Sequence, residues 1–451
     1  MNPILFFSVF IGLGIMYAIL GIATSQKIYT TNDYFLAGRN LGIASVMFTL
    51  VATQLGSGML LGTTQQAYTI GLYGLMYTLG MCFGLILLAL GFAAKLRSLN
   101  VATTAELFET KYKSPGLKKF ASLLSIITFS GILISQVIAS RALLASLGFA
   151  NEPLLVAFWL FTIIYTMLGG LKAVVVTDIA QVIFIIIIFS GLFLYSIFIE
   201  PSSLFTMFNG QQQFAAANFN MQEIAATLLM PIFFSLIEQD LAQRFFAART
   251  PRIATLSAFG AAVCLILFAL IPIYFGMKAN IMEIIIPEGT SPLIPVLETF
   301  TNDIVMVFAV CGIIAAITST ADSLLCAIGS NIAQDFDLSF MGSTALRRSK
   351  YITLVVGIGT LCASYFVSQN IIGLIISSYE LMVSCLFVPL VVSYFTDNVK
   401  RSAAIGAIVG GLIGFIGFRI WIPFLPKELL TLGLSLVGYV LGSYIPNNNR
   451  N

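Results

Sequence analysis

The chain contains no histidine, and only 9% of its 451 residues are charged. The first absence removes His-based proton relays, His–metal centres and Ser–His or Cys–His catalysis. The second sets the chain apart from soluble domains, which carry roughly 25% charged residues. The six cysteines (Cys82, Cys264, Cys311, Cys326, Cys362, Cys385) lie in apolar segments without CxxC spacing, so neither structural disulfides nor zinc sites are expected. No paired-aspartate GxGD motif is present, which argues against an intramembrane enzyme. A net charge of +3 offers no footprint for nucleic acid. With two tryptophans, Trp159 and Trp421, read as packing or interface residues, an aromatic cage is not expected.

What remains is apolar. Hydrophobic residues make up 59% of the chain, in runs at about 3–24, 41–67, 71–94, 120–148, 151–168, 173–198, 223–243, 253–277, 302–331, 351–368, 370–396, 402–420 and 428–445. These predict an all-α polytopic membrane protein of about 13 transmembrane helices, with residues 1–451 as one membrane domain. The first run follows Met1-Asn2-Pro3 without a basic n-region and reads as a retained span. With the N-terminus outside, 18 of the 22 Lys and Arg residues fall on the inner side, among them Lys27, Arg244 and Arg450. Lys278, Arg419 and Lys427 fall outside, and Arg141 lies near the outer end of a span, placed to snorkel. The positive-inside rule then places the N-terminus outside and the C-terminus in the cytoplasm. The longest outer loops, about 199–222 and 278–301, carry Glu200, Glu283, Glu288 and Glu298. The absence of a targeting extension and the short loops favour a prokaryotic inner membrane.

The ninth run holds Ala316-Ile317-Thr318-Ser319-Thr320-Ala321-Asp322-Ser323. In a helix, Ala316, Ser319, Thr320 and Ser323 share one face, with the Asp322 carboxylate beside it. An acid at that depth costs about 3 kcal/mol on insertion scales, so a cation or polar partner is expected. Hydroxyls, carbonyls and a carboxylate suit a small hard cation, whereas small residues alone serve close helix packing. The second run contains Ala52-Thr53-Gln54-Leu55-Gly56-Ser57-Gly58, which weakens a helix in mid-membrane. The seventh contains Pro231, Ser235 and Glu238-Gln239-Asp240. Two interrupted helices five spans apart point to an inverted repeat, with residues 41–198 as one half and 223–396 as the other. Residues 1–24 and 402–445 are then peripheral.

Other intramembrane polar groups have two readings each. Asp178 is either an acid favoured at a helix N-terminus or a cation ligand. Glu380 either pairs with Arg141 or faces a solute cavity. Glu238 and Asp240 either pair with Arg244 or line that cavity. Gln54 either satisfies broken backbone or binds solute.

The stretches DYFLAGRNLG (33–42), ATQLGSG (52–58), GGLKAVVVTDIAQ (169–181), QRFFAARTPR (243–252) and AAITSTADSLL (315–325) resemble the sodium:solute symporter family, over about residues 28–396. That resemblance implies a five-plus-five inverted repeat of LeuT type and sodium as the coupled ion. It also implies a first sodium site formed by the carbonyls of Ala52, Leu55 and Ala316 and the hydroxyls of Ser319 and Thr320. A second ion would fall on Asp178, Ser319, Asp322 and Ser323. The chain is similar to the proline and high-affinity choline transporter branches. The choline branch carries tryptophans where this chain has Gln54 and Glu238. The expectation is therefore an amino acid or amine-like zwitterion, held around Gln54, Gly56, Ser57, Glu238, Gln239 and Glu380. Rival readings are proton coupling, a sugar or carboxylate solute, a channel, or a sensor acting with a partner. The expected partners are the solute and membrane lipid, and the chain is expected to act as a monomer.

Overall fold

A backbone inside hydrocarbon must satisfy its polar groups within the segment, and helices do so. The computed structural model describes residues 3–25, 28–149, 151–200, 221–286, 290–338, 344–367, 370–421 and 427–445. Lys27, Glu288 and Arg450, and the side chains of Arg419 and Trp421, lie outside the described residues. The long elements, in chain order, are α1 (Pro3–Ser25), α2 (Ile43–Gln54), α3 (Thr63–Ile70), α4 (Leu75–Leu87), α5 (Pro115–Ser146), α6 (Glu152–Ile199) and α7 (Met221–Ser235). They continue with α8 (Gln239–Ala247), α9 (Pro251–Ile281), α10 (Asp303–Asp335), α11 (Ala345–Ala363), α12 (Ile371–Phe395), α13 (Arg401–Trp421) and α14 (Lys427–Tyr444). Among the described residues there is no β-strand, only a single bridge between Leu41 and Ala248. Among the described residues, nine segments are long and apolar enough to cross a membrane.

Local chemistry starts these helices where the sequence provides it. Ser114, Thr250 and Asn302 accept hydrogen bonds from the third backbone N–H of α5, α9 and α10, and Pro115 and Pro251 open their first turns. α10 is the most enclosed of the nine spans, with its Ser/Thr face against α2 and α6. Exposed apolar residues such as Leu90, Ile187, Leu267 and Val355 lie on the outer flanks of their spans, where hydrocarbon suits them.

α6 covers two predicted spans, and its axis turns at Gly170, where φ is +52°. A β-carbon there would also lie 2.6 Å from the Tyr34 carbonyl oxygen. Gly170→Ala is therefore expected to cost about 2 kcal/mol or more, read as a lower unfolding temperature of the purified protein. The turn corrects one expectation for Asp178. The residue sits two turns beyond Gly170, inside continuous helix, so a helix N-terminus is not what holds it.

Candidate ion and solute site

Both interruptions fall where the sequence places them. The first spans Leu55 and Gly56, between the end of α2 and the turn that resumes at Ser57–Gly62. The second is Leu236–Glu238, between α7 and α8. They meet directly: the Gln54 side-chain amide donates to Glu238 Oε1 at 2.9 Å. Leu55 caps α2 by donating its N–H to the Val51 carbonyl at 2.8 Å, leaving the carbonyls of Ala52 and Thr53 without the next helical donors.

The stripe on α10 covers those freed carbonyls. Ser319 Oγ lies 3.1 Å from the Ala52 carbonyl and 3.0 Å from that of Ala316. Thr320 Oγ1 lies 3.3 Å from the Ala52 carbonyl and 3.0 Å from that of Thr53. Ser319 is wholly buried and Thr320 is 6% exposed. Four of the five oxygens named for the first ion, from Ala52, Ala316, Ser319 and Thr320, thus gather at one point. The Thr53 carbonyl joins them, a member the sequence reading missed. Gly56 is required beside them, because a β-carbon there would collide with the Thr320 side chain. Neutral carbonyl and hydroxyl oxygens at such spacing can turn their lone pairs to a monovalent cation in place of the hydrogen bonds the hydroxyls now donate, with the hydroxyl hydrogens rotated away.

The residues named for the second ion divide into two groups. Asp178 accepts a short hydrogen bond from Thr49 and lies 3.6 Å from the Arg244 guanidinium, with both side chains of this ion pair fully buried. Arg244 also donates to Ser323 Oγ, to the Thr49 carbonyl and hydroxyl at 3.2 and 3.0 Å, and to the Asp240 carbonyl at 2.7 Å. Ser323 in turn lies 3.1 Å from Thr53 Oγ1. Asp322 turns the other way, accepting from Thr166 through Oδ1, while Oδ2 has no hydrogen-bond partner among the described residues. The expected pairing of Arg244 with the Glu238 and Asp240 side chains is corrected. Arg244 bonds Asp178, two hydroxyls and the Asp240 backbone, and so joins α8, α2, α6 and α10. Nor is it the loop residue the charge count implied, since it is fully buried.

Between the two breaks lies a small chamber of about 20 Å³, room for about one water. Its wall includes Gln54, Gly56, Glu238 and Thr320 from the sequence reading. Thr53, Tyr77, Gln136, Asp240 and Tyr379 complete the polar lining. Gln136 accepts from the Ser57 N–H at 3.1 Å, so Ser57 reaches the chamber's border through its backbone. Tyr77 and Tyr379 place their hydroxyls 3.4 Å apart, and Tyr379 stacks on Phe234 at 4.1 Å. Among the described residues, two carboxylates line this space and no basic side chain does. Gln136 had a legible signal, a lone amide in the apolar fourth span.

Two expected solute ligands lie elsewhere. Gln239 is turned to the opposite side, where its amide accepts from the Thr104 N–H at 2.7 Å and donates to the Ala102 carbonyl at 3.1 Å. Glu238 is the extended residue that closes the break and Gln239 is the first residue of α8, and this change of backbone conformation aims Gln239 at the neighbouring loop. Glu380 lies 3.1 Å from the Lys427 ammonium and lines a separate cavity of about 940 Å³. Arg141 instead pairs with Glu152 at 3.2 Å and covers the Tyr365 ring.

The sodium:solute symporter family model matches residues 34–414, most of the chain. The High-affinity choline transporter 1 of Torpedo marmorata is 25% identical over 436 residues, covering 90% of this chain and 73% of that protein. The sodium/pantothenate symporter of Escherichia coli (strain K12) is 25% identical over 449 residues, covering 92% of this chain and 91% of that one. Among solved structures, a Na+-coupled sialic acid symporter in a substrate-bound outward-open state matches with a TM-score of 0.83 at 18% identity, over 98% of both chains. With paired broken helices, a hydroxyl-covered break and a match along most of its length, this multi-pass membrane protein belongs to the sodium:solute symporter family.

Proposed function

We propose that the protein imports a small organic solute bearing a protonated amine, an amino acid or related zwitterion, by coupling it to sodium. The observation that carries this reading is the junction of the two sites at one break. Thr320 caps the freed carbonyls of α2 and also walls the chamber that holds Glu238 and Asp240. Sodium taken up among the oxygens of Ala52, Leu55, Ala316, Ser319 and Thr320 would fix α2 against α10, and with it the floor of the solute chamber. Solute then favours closure, and the halves 41–198 and 223–396 rock to open the other side. Asp178 is already neutralised by Arg244, which supports one sodium at the first site as the coupled ion. The N-terminus lies outside, the membrane is the plasma membrane, and one chain supplies the whole site, so the monomer is the working unit.

The three relatives are named for choline, pantothenate and sialic acid, all small organic solutes. An acid-lined chamber without a basic residue selects the amine-bearing kind. The full chain in proteoliposomes, with sodium or potassium outside at fixed pH, tests this with radiolabelled amino acids, amines, sugars and carboxylates. One sodium moving through roughly 100 mV supplies about 2.3 kcal/mol, so accumulation of about fifty-fold is expected for an amine-bearing solute. Equal uptake in potassium, or sodium-driven uptake confined to sugars or carboxylates, overturns the proposal.

A further inference from the structure

We propose that Asp335 and Asn331, at the far end of α10, form a separate cation station that sodium occupies on its way out of the protein. That the cation is sodium rests on the coupling read above; the station rests on its own atoms. Asp335 is 4% exposed and accepts from the Thr103 hydroxyl at 2.7 Å through Oδ1, while Oδ2 has no hydrogen-bond partner among the described residues. Asn331 is 1% exposed and lies one turn earlier on the same face of α10. Neither its side-chain oxygen nor its nitrogen has a partner among the described residues. α5 packs against that face, and its Ser122 hydroxyl lies 3.3 Å from the Asn331 main-chain carbonyl. Ser125, one turn along α5, is buried with its hydroxyl also unpartnered among the described residues.

Buried polar atoms without partners are costly, and a carboxylate oxygen is the costliest of them. Lys118 lies 3.9 Å from Asp335 Oδ1 but only 2.7 Å from Glu109, and Glu106 adds a further negative charge nearby. One ammonium thus serves a neighbourhood of three carboxylates. A carboxylate, an amide oxygen and hydroxyls are hard oxygen donors, and a single buried carboxylate matches a monovalent ion better than a divalent one. The station also continues the solute chamber along one seam. Thr320 and Leu324 line the chamber, and Asn331 and Asp335 fall with them within about 60° on α10. On α5, Gln136 and Ile132 line the chamber, and Ser125 and Ser122 fall with them within about 80°. Thr320 and Asp335 are 15 residues apart, about 22 Å of helix. Thr103 belongs to the loop that covers the station, and Gln239 of α8 fastens that loop through Thr104 and Ala102. Movement of α8 as the halves rock therefore frees the cover.

The test uses the full chain in detergent and reads sodium-23 NMR line broadening against sodium concentration, with N-methylglucamine as the balancing cation. A variant joining Ser319→Ala to Thr320→Val removes the first site and should keep one saturable component. Adding Asp335→Asn to it should weaken that component at least about tenfold. Adding Lys118→Met instead should strengthen it about threefold, an opposite sign that a misfolded variant cannot imitate. A residual component unmoved by Asp335→Asn, or weakened by Lys118→Met, overturns the station. Loss of all saturable broadening on changing Ser319 and Thr320 alone overturns the station and spares the first site. Loss of all of it in Asp335→Asn alone, with none lost on changing Ser319 and Thr320, supports the station and overturns the first-site assignment.

Discussion

Arg244→Leu is expected to destabilise the purified protein by about 3–5 kcal/mol, the cost of leaving one partner of a buried pair uncompensated. Among the described residues, Asp178 would then be a buried carboxylate with only the Thr49 hydroxyl as donor, its other oxygen already lacking a hydrogen-bond partner. Thr49, Ser323 and the Asp240 carbonyl would lose their donor at the same time. Asp178→Asn alone is expected to be milder, because the neutral amide demands less solvation and Arg244 keeps its other acceptors. Pairing Arg244→Leu with Asp178→Leu should recover much of the loss, since replacing both members by apolar groups removes both desolvation costs. Denaturation of the two single variants and the double variant forms a cycle that isolates the pair. If the losses simply add, Arg244 is not neutralising Asp178, and the case for a single coupled sodium weakens.

Ser319→Ala or Thr320→Val should raise the sodium concentration for half-maximal uptake about 10–100-fold. Each removes one oxygen from an ion or charge-assisted contact worth about 1.5–3 kcal/mol. Folding should change far less, because the variants are nearly isosteric and only one hydroxyl is lost from each. Thr318→Ala gives the control: it lies on the same helix, but its hydroxyl contacts Gln181 and not the break at Ala52. Sodium titration of uptake in proteoliposomes separates the cases. Unchanged sodium dependence in both variants would show that the ion binds elsewhere.

The sequence was legible wherever a one-dimensional pattern carries the physics. The apolar runs marked an all-helical membrane protein, because a backbone in hydrocarbon has almost no other choice, and among the described residues nine segments are long and apolar enough to cross a membrane. The run Gly56-Ser57-Gly58 and the stretch from Pro231 to Asp240 marked the two breaks through several weakening residues together, whereas single prolines such as Pro272 and Pro389 sit inside unbroken helices. Helical spacing put Ala316, Ser319, Thr320 and Ser323 on one face, and the structure lays that face on the freed carbonyls of α2.

Direction was not legible in the same way. Glu238 and Gln239 are adjacent, yet one lines the chamber and the other fastens the loop at Ala102 and Thr104. Tyr379 and Glu380 are adjacent, yet one faces the chamber and the other Lys427. Asp322 and Ser323 diverge likewise, toward Thr166 and toward Arg244. For the last two pairs, each single step along the helix turns a side chain by about 100°, so rotation of the helix against its neighbours decides the partner, while Glu238 is parted from Gln239 by its extended backbone. The chain's own order of residues therefore determined a broken-helix membrane protein with an oxygen-rich stripe. That Asp178 meets the Arg244 guanidinium and Glu380 the Lys427 ammonium was decided only by tertiary packing, because these partners lie 66 and 47 positions apart in the sequence.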